Sequence, residues 1–133
     1  MTYTQWLLSN VGHSIDLDGA FGAQCMDAIN SYLQNVLLLQ HATGNAKDVP
    51  GQTFHGMSWS QNSPTNAPRP GSIVVWRPGR HGQVAISDYG HVGISLIADR
   101  WGFVSADQNW LDRPTVQLCL HNYDGVWGWH HPN

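Results

Sequence analysis

Cys25 lies near the end of the run Asp16-Leu17-Asp18-Gly19-Ala20-Phe21-Gly22-Ala23-Gln24-Cys25-Met26-Asp27, which leads directly into a helical pattern. In the first turn of a helix a thiol meets unpaired backbone N–H groups and the positive end of the helix dipole, and both favour the nucleophilic thiolate. Cys25 also falls on the apolar face of that pattern, where a cysteine serves equally as a small buried hydrophobe. A nucleophilic thiol needs a base, and of eight histidines His91 is the best placed. It sits in Tyr89-Gly90-His91-Val92-Gly93-Ile94, at the start of a strand and after a glycine. A third group must hold the imidazole tautomer. In Val104-Ser105-Ala106-Asp107-Gln108-Asn109-Trp110, Asp107 and Asn109 are two apart, so in a strand they share a face and either could orient His91. The plainer reading of His91 and Asn109 is polar residues at a solvent-facing strand end.

The same run offers a second chemistry. Asp16 and Asp18 are spaced like positions one and three of an EF-hand loop and Asp27 falls at its position twelve, a pattern of hard oxygen ligands suited to Ca2+. Ala20 and Gly22 could add backbone carbonyls, and Gly19 permits a sharp bend. Two features depart from the EF-hand pattern: Phe21 stands where its glycine is expected, and the last ligand is Asp in place of Glu. Without a metal, Asp-x-Asp-Gly reads as an Asx turn leading into a capped helix.

Two helices must present these groups. Thr4 to Val11 reads as a short helix with Trp6, Leu7 and Val11 inward and Gly12 as its stop. From Gln24 to about Gln40, Cys25, Ile29, Tyr32, Leu33, Val36 and Leu37 recur at steps of three and four, which predicts one long helix with a buried face. Asn45 to Pro70 holds four of the seven prolines and reads as a long surface connection with at most a short helical turn. Five β-rich runs follow: Ser72 to Trp76, His91 to Ile97, Phe103 to Asn109, Val116 to Leu120 and Val126 to Trp129. Helices first and strands afterwards predict an α+β domain, with helices packed on an antiparallel sheet of five or six strands. His130 and His131 read as an exposed tail, Cys119 as a strand residue without a chemical role, and Trp76 and Trp110 as candidates for a cleft wall.

At 133 residues the chain suits one domain, 1–133. With 41% hydrophobic and 11% charged residues it should fold, and a net charge of -3 with six Lys plus Arg leaves no basic stripe for nucleic acid. Its apolar runs are too short to span a bilayer, and no secretory signal is visible at Met1 to Leu8. Cys25 and Cys119 are expected to be free thiols, and the chain is expected to be a monomer.

Asp-x-Asp-Gly-x-x-Gly-x-Gln-Cys-x-Asp, then Gly-His-Val-Gly-Ile, then Asp-Gln-Asn-Trp together resemble the CHAP (cysteine, histidine-dependent amidohydrolase/peptidase) domain of phage endolysins and related wall hydrolases. The resemblance spans nearly the whole chain. It implies a papain-like α+β fold and hydrolysis of an amide bond in bacterial peptidoglycan. By position it implies Cys25 as nucleophile, His91 as base, Asp107 as acidic orienter, Asn109 as fourth catalytic residue and Gln24 as oxyanion donor. It also implies calcium in the loop of Asp16, Asp18, Ala20, Gly22 and Asp27. Many relatives have Glu where Asp107 stands, so which of Asp107 and Asn109 meets His91 stays open. The lack of a signal fits a phage-encoded lysin held in the host cytoplasm until a membrane pore admits it to the wall; a tail-associated hydrolase would look similar. Two other readings are a calcium-stabilised module of a phage particle that binds without catalysis, and a thiol peptidase acting on ordinary protein.

Overall fold

The computed structural model describes all 133 residues. Two helices, α1 (Tyr3–Asn10) and α2 (Cys25–Tyr32), precede eight strands: β1 (Met57–Gln61), β2 (Ile73–Trp76), β3 (Gly79–His81), β4 (Val84–Ile86), β5 (His91–Ala98), β6 (Phe103–Asp107), β7 (Gln117–His121) and β8 (Val126–Pro132). Six of them form one antiparallel sheet in the order β1-β8-β2-β5-β6-β7, and β3 and β4 make a separate hairpin. This is the α+β arrangement that the helix-then-strand order predicts, and it agrees with the papain-like fold that the resemblance implies.

Local chemistry sets the helix ends. Thr2 and Gln5 cap α1 reciprocally, each side chain accepting the other's backbone N–H. The helix stops at Val11, and Gly12, at φ +86°, turns its N–H to the Val116 carbonyl. Trp6 is fully buried as expected, but Val11, expected inward, is 36% exposed because it already lies past the last helical turn.

The long second helix is corrected in the same way. Regular turns end at Tyr32, a wide π turn covers Leu33–Leu37, and Leu38 is left-handed at φ 58°. Leu39 N–H then returns to the Leu33 carbonyl and closes the end. Periodicity misses this because Val36 to Leu39 is a continuous apolar run that cannot all face one way, and Leu38 is left exposed.

The sheet has a core on each face. Ile73, Val75, Val92, Ile94 and Ala106 pack under Trp6, Ile29, Tyr32 and Leu33 of the helix layer. Val74, Trp76, Phe103, Val126 and Trp129 form the opposite cluster. The alternation in β2 is the period of two that sends neighbours to opposite faces. Fully burying each such aliphatic side chain contributes about 1.5–3 kcal/mol. Tyr3, Trp6 and Tyr32 pack together in tilted and edge-to-face contacts, and their polar ends donate to the Ile94 carbonyl, the Ser31 hydroxyl and the Gly71 carbonyl.

Two other expectations need correction, and one element lies outside them. The stretch read as surface connection does hold a short helical turn, the 3-10 turn Ala46–Gly51, but it buries Ala46 and Val49 and also contains edge strand β1, whose half-exposed Met57-Ser58-Trp59-Ser60-Gln61 carries a weak signal. The β3–β4 hairpin, with strands of only three residues each, is too short to leave a pattern in the sequence. His130 and His131 are no tail: β8 runs to Pro132 in the sheet, His130 donates to the Val49 carbonyl at 2.9 Å while only 3% exposed, and His131 meets the Ser60 hydroxyl. No helix is long and apolar enough to cross a membrane.

Candidate active site

Cys25 is the first residue of α2 and is half-buried. Its helix begins where it does because the Asp27 carboxylate accepts the Gln24 backbone N–H at 3.0 Å, a cap that fixes the chain on either side of the thiol. His91 is the first residue of β5, paired with Trp76 of β2. Gly90 precedes it at φ +80°, and a side chain there would meet the Lys47 backbone nitrogen at 2.9 Å. The glycine therefore lets the chain enter β5 close under the neighbouring turn.

His91 donates from Nε2 to Asp107 Oδ2 at 2.6 Å, with the side chains 7% and 0% exposed. That leaves Nδ1 for Cys25. Burial alone would raise the Cys25 thiol, but the hydrogen bond and charge of His91 and the backbone N–H of Val92 outweigh it and hold the thiol below its ordinary value. Burial works against the His91 cation too, yet its bonds to Asp107 and Cys25 raise its pKa to about 9. Both shifts favour a thiolate–imidazolium pair. Asp107, which burial alone would raise, is lowered to about 2 by its bonds to His121 and His91.

Asn109 is placed differently from what its spacing suggests. Strand β6 ends at Asp107, and Asn109 is an exposed, left-handed residue at φ 64° whose N–H donates to the Arg113 carbonyl at 2.8 Å. With the strand over, two-residue alternation no longer applies. Asp107 alone meets His91, while Asn109 lines the cleft beside it. Gln24 is exposed at the same cleft.

Cys25 and His91 open into a cleft of about 740 Å³. Its walls include Phe21, Tyr89, Leu111 and the β3–β4 hairpin from Val84 to Ile86, and Trp110 forms part of the wall. Trp76, the other wall candidate, is 1% exposed and packs beneath His91 at 4.9 Å between ring centroids.

Several residues that build the site stand out only in three dimensions. Gln108, fully buried, accepts the Ile15 N–H and donates to the Ile15 and Gln24 carbonyls at 2.7 and 2.8 Å, clamping both ends of the loop that carries Asp16 and Asp18. Gly93 lies against the Asp107 carboxylate, where a Cβ would come within 2.5 Å of Oδ2. Ser105 and His121 both donate to Asp107 Oδ1. Alternation along β6 and β7 could have grouped Ser105 with Asp107 and Cys119 with His121; a buried glutamine bonded to main chain has no such signal.

The carboxylate oxygens of Asp16, Asp18 and Asp27 come within 4.8 Å of one another. Oxygens on opposite sides of a calcium ion are separated by about twice a 2.3–2.6 Å bond, so this set can surround one ion. Burial and then the Asp18 and Asp16 charges raise the Asp27 carboxyl above its ordinary value. Gly19, Phe21 and Gly22 are all left-handed, which bends the loop around this point. The plainer reading is present as well: Asp18 accepts the Ala20 N–H in an Asx turn while Asp27 caps α2. Cys25 and Cys119 are both free.

Fold and site define a papain-like α+β domain in which a helix-start cysteine meets a strand-start histidine backed by a buried aspartate. The chain belongs to the CHAP domain family, whose family model matches residues 15–109. It is 31% identical over 139 residues to the endolysin PlyTW of Staphylococcus phage Twort, a match covering 96% of this chain and 29% of that protein. To the endolysin LysK of Staphylococcus phage K it is 34% identical over 120 residues, covering 85% of this chain and 23% of LysK. The chain thus spans less than a third of either endolysin. The crystal structure of the wild-type endolysin LysIME-EF1 matches with a TM-score of 0.81 at 31% identity, over 96% of this chain and 61% of that one. The crystal structure of Ly7917 with the hydrolyzing product of MDP shares the fold at a TM-score of 0.68 and 17% identity, over 96% of this chain and 60% of that one.

Proposed function

We propose that this domain hydrolyses an amide bond of bacterial peptidoglycan through a Cys25 acyl-enzyme, as part of a phage lysin. The observation that carries the reading is the pairing of a lowered Cys25 thiol with His91, itself held at 2.6 Å by buried Asp107, at the floor of an open cleft. Membership of the CHAP family and the likeness to phage endolysins support the substrate class.

In this mechanism the Cys25 thiolate attacks the scissile carbonyl, and the oxyanion is received by the Cys25 backbone N–H and the Gln24 side chain. The His91 imidazolium passes its proton to the leaving amine as the C–N bond breaks, leaving a thioester. His91, now neutral, takes a proton from water, whose oxygen attacks the thioester. The carboxylic acid leaves, and the proton on His91 restores the ion pair. Asp107 stays ionised and holds the ring throughout. The bond cut is either a D-alanyl cross-bridge or the N-acetylmuramoyl-L-alanine amide, since one set of residues serves both. Asn109 lines the cleft where substrate passes.

Calcium belongs to the same proposal. Asp16, Asp18 and Asp27, with the carbonyls of Ala20 and Gly22, would hold it, and its charge would offset three converging carboxylates. These residues then fix the loop that enters α2. Action at the wall, after storage in the host cytoplasm, follows from the lysin reading, with peptidoglycan as the partner. The rival reading, a calcium-stabilised binding module, leaves Cys25, His91 and Asp107 without a purpose.

The test is turbidity clearing of bacterial cells, with mass spectrometry of digested walls to name the bond. Cys25→Ser should fold and fail to clear, because His91 cannot ionise a serine hydroxyl, while Cys119→Ser should clear normally. Clearing by Cys25→Ser near the parental rate would overturn the mechanism.

A further inference from the structure

Asp107 serves two histidines. Its Oδ2 accepts from His91 of β5 at 2.6 Å, and its Oδ1 accepts from His121 Nε2 of β7 at 3.0 Å and from the Ser105 hydroxyl. The three charged or titratable side chains thus form a row across adjacent strands β5, β6 and β7. All are enclosed, with side-chain exposures of 7% for His91, 3% for His121 and 0% for Asp107.

The two rings have matching surroundings. Trp76 lies 4.9 Å from His91 and 4.8 Å from His121 between centroids, and Trp110 lies 4.9 and 4.6 Å from the same two. Phe103 closes the His121 side at 5.2 Å. A carboxylate in such a box has no water to solvate it, so protein donors must fix its plane and satisfy its oxygens. Ser105 and His121 do so on Oδ1, which leaves Oδ2 aimed at His91. The other titratable groups near the pair are Cys119 of β7, Tyr3 of α1 and Cys25 of α2, with Arg113 acting on Cys119. None of them has a hydrogen bond to Asp107, so His121 is its only nitrogen donor apart from His91.

We propose that His121 is a positioning residue: it holds the Asp107 carboxylate in the orientation that aims Oδ2 at His91, so a second histidine, remote from substrate, sets the geometry of the Cys25–His91 pair. Its role in catalysis rests on the cysteine mechanism above; its effect on the His91–Asp107 bond does not.

The test compares His121→Phe, which keeps a ring among Trp76, Trp110 and Phe103 but has no donor, with His121→Gln, whose amide N–H can replace Nε2. Two quantities are read: the clearing rate, and the downfield NMR resonance of the His91 ring proton shared with Asp107, assigned by its loss in His91→Ala. His121→Phe should clear roughly tenfold or more slowly, as expected for a misplaced catalytic group, and its downfield resonance should shift or broaden away. His121→Gln should restore most of the rate and the resonance. A His121→Phe protein with parental rate and resonance overturns the proposal. So do Phe and Gln variants that are equally slow with the resonance unmoved, because that pattern marks packing alone. Parental clearing by Cys25→Ser would instead sink the cysteine mechanism, and the resonance would still report on His121.

Discussion

Replacing Gly93 by Ala probes the Asp107–His91 bond without changing either partner. Gly93 is not among the left-handed glycines, so its backbone accepts a side chain. The obstacle is space: the new Cβ would lie 2.5 Å from Asp107 Oδ2 and 3.1 Å from its Cγ, whereas ordinary contact begins at 3.4 Å. The carboxylate must retreat by about 0.9 Å, the difference between those limits. Ser105 and His121 hold the other oxygen, so the retreat pivots Oδ2 away from His91 and stretches a 2.6 Å bond beyond the usual range for a charge-assisted contact. Misplacement near 1 Å at a catalytic group costs about 100-fold in rate, which is the loss expected in turbidity clearing. Overpacking costs about 1–3 kcal/mol, so the melting temperature should fall by several degrees while the protein stays folded at 25 °C. A folded Gly93→Ala protein that clears cells at the parental rate would show that the bond is dispensable.

Calcium should be structural first: an ion at 100 times its dissociation constant adds about 2.7 kcal/mol to the folded state. Chelator should therefore lower the melting temperature by several degrees and slow clearing, with calcium restoring both and magnesium doing so poorly; an unchanged melt and rate would return Asp16 to Asp27 to plain helix capping. For pH, His91 is raised from 6.5 to about 9, so its contribution to stability is complete below 6.5 and lost as pH rises through 9. Asp107 is lowered from 3.8 to about 2, so its contribution is complete above 3.8 and lost as pH falls through 2. The melting temperature should peak between these windows, and clearing should decline above pH 9 as His91 loses the proton it gives to the leaving amine. Melts flat from acid to alkali would contradict both shifts, and undiminished clearing well above pH 9 would contradict that of His91.

Much of the site was legible because its chemistry is local. Cys25 at the start of an apolar-periodic helix, and His91 after Gly90 at the start of a β-branched run, were readable from neighbours alone. Which residue orients His91 was not, because the answer depends on β6 ending at Asp107, and a strand's end is set by where its partners stop. Likewise α2 ends early because the Leu33–Leu37 turn widens under packing, a change that periodicity does not register. His130 looked like a tail because its pairing with Val49 joins segments 81 residues apart. The missed positioning residues, Gln108 and His121, act through long-range contacts for which a linear pattern carries no mark.

The Gln108 clamp also bears on when the thiol becomes reactive. Its bonds reach back 93 residues to Ile15 and 84 to Gln24, so they form only once Gln108, the residue after β6, meets both ends of the loop. Contacts of that separation are slow to form, since loop closure must be paid before they reward it. Before those contacts form, α2, only eight residues long, has little stability of its own, and Cys25 has no His91 beside it, so its thiol should behave as an ordinary one. Under the proposed mechanism, Cys25 would therefore gain its reactivity only with the completed fold. Pulsed alkylation during refolding should find Cys25 slow to react until the sheet has formed, and quick thereafter.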